Sequence, residues 1–139
     1  MTMTTVERVV ALQRVPLFAE VPGRTLAAVA RRATEVEVES GGLVIEQGAV
    51  EDHLFALVTG RLIARDGERV LRELAAGSTV GELAALAPEP RSAQVTALVP
   101  SLLLRIDRRV LDELLADHPE LSRGVITSLV RMIRSTRPS

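Results

Sequence analysis

Apolar residues along this chain recur first at helical spacing, then at the two-residue spacing of strands, and at helical spacing again near the end. Val6, Val9 and Val10 form a short stripe that predicts a first helix. After an interruption at Pro16, Leu26, Val29, Ala30 and Ala33 form a second stripe, with Arg31 and Arg32 on the opposite side and Pro22 suited to the first turn. At Thr34 the period changes. Thr34-Glu35-Val36-Glu37-Val38-Glu39 alternates valine with glutamate, the pattern of a strand with one face in a core and one in water.

Turn residues divide the middle of the chain into short strands. Ser40-Gly41-Gly42 forces a turn, a strand follows at 43–46, and Gly48 stops it. Residues 54–64 read as strand, broken at Gly60 by a bulge or tight turn. Asp66-Gly67 is a hairpin signal leading into a strand at 69–74. Two more strands fit 92–98 and 101–106, separated by Pro100. Many short strands joined by Gly and Pro turns predict a closed or rolled antiparallel sheet.

The tail returns to helix. Val110, Leu111, Leu114 and Leu115 mark one helix, and Asp117 with Glu120 resembles a capping box opening the last, with Pro119 in its first turn. In that last helix Leu121, Val125, Ile126, Leu129, Val130, Met132 and Ile133 cover more of the circumference than packing on one sheet needs. The surplus is a candidate contact with a second copy of the chain or with an output domain. The expectation is one α+β domain over 1–139, mainly β: helices in 1–33, a β-roll in 34–106 and helices in 107–139.

Composition narrows the function. A chain of 139 residues that is 47% apolar supports one core. Phe18 and Phe55 are its only aromatic side chains, so it lacks a platform on which nucleic-acid bases could stack. All 17 basic residues are Arg and the net charge is −1, which gives no electrostatic reason to expect a nucleic-acid partner. Without Lys or Cys there is no Schiff-base or thiolate chemistry. No stretch approaches the roughly 18 apolar residues of a membrane span, and the first residues lack the apolar run of a signal peptide. The expectation is a cytoplasmic protein without a membrane partner. His53 and His118 stand apart without ligand-like neighbours, so no metal is expected. No Ser or Thr has a base and an orienting acid at recognisable spacing, and an enzyme is not expected. A metal-dependent β-barrel enzyme would need His and carboxylate ligands that are missing. Arg123, Arg131, Arg134 and Arg137 read as the solvated face of the last helix.

The chemistry concentrates in residues 80–95, Val-Gly-Glu-Leu-Ala-Ala-Leu-Ala-Pro-Glu-Pro-Arg-Ser-Ala-Gln-Val. Gly81 permits close backbone approach and unusual dihedrals. A short helix beginning near Leu83 would leave its first N–H groups free to meet an anion. Ala84 and Ala93 are small and leave space. Arg91 offers a planar fork of donors suited to phosphate, and Ser92 adds a small donor beside it. Glu82 carries only acceptors and suits a hydroxyl such as a ribose 2′-OH. The bland alternative, an ion pair between Glu82 and Arg91 joining helix to strand, uses the same spacing.

Gly81-Glu82-Leu83-Ala84, with Pro90-Arg91-Ser92-Ala93-Gln94-Val95 following so that Arg91 lies nine residues after Glu82, resembles the phosphate-binding cassette of the cyclic-nucleotide-binding domains. That family includes catabolite activator proteins, kinase regulatory subunits and gated channels. The resemblance runs over about residues 15–135: Val15-Pro16-Leu17-Phe18 at the helical entry, Gly41 to Gly48 at the first turn, Asp52 to Gly60 as a strand and Leu74 to Gly77 leading to the cassette. It implies an antiparallel, jelly-roll-like β-roll with a short cassette helix. It implies that Glu82 binds the ribose 2′-OH, Arg91 the cyclic phosphate, Ser92 the phosphate or base, and the Leu83 and Ala84 amides the phosphate. Gln94 departs from the Thr often found there, in the strand that follows. Met132 and Thr136 lie where the last helix of relatives closes on the base.

The resemblance thus implies a non-enzymatic sensor of cAMP or cGMP, without a further cofactor, whose last helix reports occupancy to an output domain in cis or in a partner. The alternative is a β-roll scaffold or dimerisation module of the same fold that binds no nucleotide.

Overall fold

A computed structural model of the chain describes residues 2–50, 52–81 and 93–135. Helix α1 (Thr5–Gln13) begins with a capping box: the Thr4 hydroxyl accepts from the Glu7 amide, and the Glu7 carboxylate accepts from the Thr4 amide. A 3-10 turn (Pro16–Phe18) and helix α2 (Gly23–Arg32) follow. The buried face of α1 differs from the valine stripe. Val6 is 73% exposed and Val10 is also exposed, while Leu12 is fully buried and Val9 packs at the margin of the core. Arg8 fixes this rotation. Its Nη1 donates to the carbonyls of Ala30 at 2.9 Å and Ala33 at 2.6 Å, filling acceptors that the end of α2 leaves open.

Eight strands among the described residues form two antiparallel sheets: β1 (Thr34–Val38), β2 (Leu43–Ile45), β3 (His53–Thr59), β4 (Arg61–Asp66), β5 (Arg69–Ala75), β6 (Thr79–Val80), β7 (Gln94–Ala97) and β8 (Ser101–Asp107). The first sheet has the order β1-β8-β3-β6 and the second β2-β7-β4-β5. Short links at 39–42, Gly60, 76–78 and 98–100 each carry the chain from one sheet to the other, which is the connectivity of a rolled hairpin. Gly60 makes its crossing in one residue at φ +106°, where a side chain would run into Ser101. Pro100 stands in the last link, where no ladder donor is needed.

Alternation along the strands builds two cores. In β3 and β8, Leu54, Ala56, Leu104 and Ile106 face the helices and pack with Leu12, Phe18, Leu26, Val29, Leu111 and Leu121. Phe55, Leu57 and Leu103 point the other way, between the sheets, against Leu62, Ala64, Leu74, Val95 and Ala97. Val36 and Val38 of β1 also reach this second core, as the Val-Glu alternation predicts. Each such Leu or Phe contributes roughly 1.5–3 kcal/mol relative to an exposed position.

Helices α3 (Arg108–Asp117) and α4 (Pro119–Ser135) close the described chain. The expected capping box at α4 is absent as such. Asp117 is the last residue of α3, and Glu120 turns to α2, where Arg24 and the Thr25 hydroxyl each donate to it at 2.8 Å. These two donors hold the Glu120 carboxyl below its usual range. Leu121, Gly124, Val125 and Ser128 of α4 are buried, whereas Ile126, Val130 and Ile133 stay exposed. No described helix is long and apolar enough to cross a membrane.

Candidate functional site

Of the expected site residues, Gly81 and Ala93 are described, on either side of the passage from the first sheet to the second. Phe55 pairs with Val80 and Ala56 with Thr79, so β6 is pinned to β3 at the edge of the first sheet. Gly81 ends it at φ +82°, in the left-handed region that glycine enters without strain. The chain is described again at Ala93, half-buried against the core between the sheets, and β7 follows in the second sheet. Gly81 and Ala93 are therefore the two anchors of the expected cassette, one directly after a strand of the first sheet and one directly before a strand of the second. Glu82, Leu83, Ala84, Arg91 and Ser92, with the expected cassette helix, lie outside the described residues, as does Thr136. Met132 is half-buried on α4.

The rigid frame around the anchors comes from pairing. Gly77 and the Ser78 carbonyl hold Leu57 from both sides: the Gly77 amide donates to the Leu57 carbonyl and the Leu57 amide to Ser78, each at 2.9 Å. Phe55, paired with Val80, packs its ring in the inter-sheet core, and the His53 ring meets it edge-on with centroids 6.2 Å apart.

His53 is neither isolated nor part of a metal centre in the described residues. Its Nδ1 lies 2.9 Å from the Asp107 carboxylate and 3.9 Å from Asp52, and Arg105 Nε approaches Asp107 at 3.2 Å. No group of three or more His, Cys, Asp or Glu among the described residues is placed to hold a metal ion.

One residue of β5 carries no signal in the sequence. Arg72 sits in a strand with exposed Val70 and Leu71 and lacks clean alternation. Only strand register shows which face it occupies: it stands opposite Ala64, whose side chain is in the inter-sheet core.

Residues 35–118, more than half of the chain, match the family described as the cyclic nucleotide-binding domain. Among curated proteins the chain is similar to a CRP-like cAMP-activated global transcriptional regulator of Mycobacterium tuberculosis, 28% identical over 130 residues covering 90% of this chain and 58% of that protein. Among solved structures it resembles the N-terminal domain of a transcriptional regulator from Streptomyces coelicolor A3(2), with TM-score 0.83, 26% identity and coverage of 91% of this chain and 94% of that one. It also resembles the regulatory domain of Toxoplasma gondii PKA in a co-crystal with cAMP, with TM-score 0.72, 26% identity and coverage of 79% and 44%. The chain spans only part of the curated relatives it matches, 58% of the mycobacterial regulator and 22% of others matched over 93% of this chain. On the rolled two-sheet architecture and the family match together, the chain belongs to the cyclic nucleotide-binding domain family.

Proposed function

We propose that residues 1–139 act as one cytoplasmic, non-enzymatic regulatory domain that binds cAMP, with cGMP as the competing ligand. Arg91 and the Leu83 and Ala84 amides hold the cyclic phosphate, and Glu82 accepts from the ribose 2′-OH. Gly81 lets the backbone approach closely, Ala84 and Ala93 leave space, and Ser92 donates to the phosphate or base. Met132 and Thr136 close on the base from the C-terminal side. The observation that carries this reading is the family match across 35–118, a span that includes the whole stretch between the anchors Gly81 and Ala93.

Occupancy passes to an output domain or a second copy through α4. The exposed Ile126, Val130 and Ile133 support an interface there, since three apolar side chains along one helix stripe are costly to leave in water. A ligand shifts such an arrangement only by binding one state better than another.

Thermal denaturation with and without nucleotide tests the reading. Saturation at about 100 times the Kd stabilises a binder by about 2.7 kcal/mol, which raises Tm by about 5–10 °C for a chain of this size. A melting curve unmoved by both cAMP and cGMP would assign the chain to the scaffold role instead.

A further inference from the structure

Helix α3 begins without the cap its sequence provides. Asp107 is its N-cap residue, in extended backbone at φ −75° and ψ 148°, yet its side chain accepts no bond from the first turn. Asp is among the strongest N-cap residues because its carboxylate can accept from the amides of the second and third helical positions, here Arg109 and Val110. The need at this end is large. The first turn holds Arg108 and Arg109 and no acidic residue, so cations stand at the positive pole of the helix. Only the Arg108 amide is met from outside the helix in the described residues, by the Asp52 carbonyl at 3.1 Å.

The Asp107 carboxylate is drawn across the sheet instead. His53 and Asp107 are directly opposed in β3 and β8, and His53 Nδ1 lies 2.9 Å from Asp107 Oδ1. Arg105 Nε stands 3.2 Å from the same oxygen. The other charged groups at this corner are Asp52, 3.9 Å from Nδ1, and Arg108, which turns to Asp112 at 3.4 Å. On the other side of β3, β6 contributes only Thr79 and Val80, and Phe55 meets the imidazole with its ring. The His53 and Asp107 side chains are 34% and 44% exposed, so protons reach the pair without any opening of the fold.

Histidine is the side chain whose charge ordinarily changes between about pH 5 and 8. A half-exposed ion pair and an N-terminal cap contribute similar, small amounts to stability, so one charge is enough to decide between them. We propose that Asp107 is a pH-gated helix cap: the imidazolium of His53 holds the carboxylate on the sheet, and loss of that proton lets it turn to the Arg109 and Val110 amides. Only His118 separates α3 from α4, so the change acts at the root of both C-terminal helices.

NMR of the full chain, titrated from about pH 5 to 8, tests this with wild type, His53→Gln and Asp107→Asn. In wild type the Arg109 and Val110 amide protons are expected to move downfield as pH rises, with the midpoint of the His53 ring protons. In His53→Gln they are expected to stay still, which also separates His53 from His118 at the far end of α3. In Asp107→Asn, His53 still titrates but the two amides no longer follow it, because the charge that answers the imidazolium is gone. Unchanged resonances elsewhere in each variant report an intact fold, and the wild-type curves stand on their own should a variant unfold. Amides that ignore pH in wild type, follow a midpoint other than that of His53, or track pH as before in either variant would overturn the proposal.

Discussion

Gly60 shows how much a single residue decides here. It joins β3 of one sheet to β4 of the other at φ +106°, and a Cβ there would sit 2.1 Å from Ser101 Oγ and 2.8 Å from the Ser101 backbone. Gly60→Ala is expected to cost about 2–5 kcal/mol from backbone strain and overpacking together. The shift in urea midpoint measures it, and a loss below about 0.5 kcal/mol, the size of a surface change, would show that the corner is less constrained. This residue was legible as a break within a strand-like run. Arg72 was not, because its face depends on a partner strand far along the sequence. His53 was readable only as a histidine without metal ligands nearby, and Asp107, which sits 2.9 Å from it, comes from another strand.

The elements were readable where their pattern was local. The Val-Glu alternation marks β1 and the break at Gly60 separates β3 from β4, but β6 spans only Thr79–Val80, too short for any period to declare it. Helix ends were harder. Asp117 and Glu120 have capping-box spacing, yet Arg24 and Thr25 outcompete the local backbone for Glu120. The box that does form, Thr4 with Glu7, has the same signature. The valines of α1 misled because Arg8 reaches the carbonyls at the end of α2 and turns Val6 and Val10 outward.

The Glu120 tie between α4 and α2 makes a pH prediction. Hydrogen bonds from Arg24 and Thr25 hold its folded carboxyl below the ordinary value of 4.5. A depressed folded pKa means the ionised form stabilises the fold: the contribution is present above the unfolded value and disappears as pH falls through the folded one. Melting temperatures of wild type and Glu120→Gln should therefore differ at neutral pH and converge in acid. A gap that persists unchanged in acid would show that the carboxylate's charge is not what joins the helices.

At the scale of the whole molecule, the roll exists because short links alternate between sheets while the pairings are long-range: β1 with β8, β2 with β7, β3 with β6. No local period encodes such pairings, so hydrophobic alternation could foretell a rolled sheet but not its strand order. Family resemblance in the cassette supplied the architecture that periodicity could not. The roll then sets Gly81 directly after a strand of one sheet and Ala93 directly before a strand of the other, and the residues of the proposed chemistry lie between them in sequence.

Calorimetric titration of wild type and Arg91→Ala with cAMP tests the central claim most directly. Saturable binding by wild type is expected, weakened in Arg91→Ala by about 2–5 kcal/mol through loss of the phosphate's countercharge. Equal affinity in both proteins, or no binding by wild type, would contradict the account.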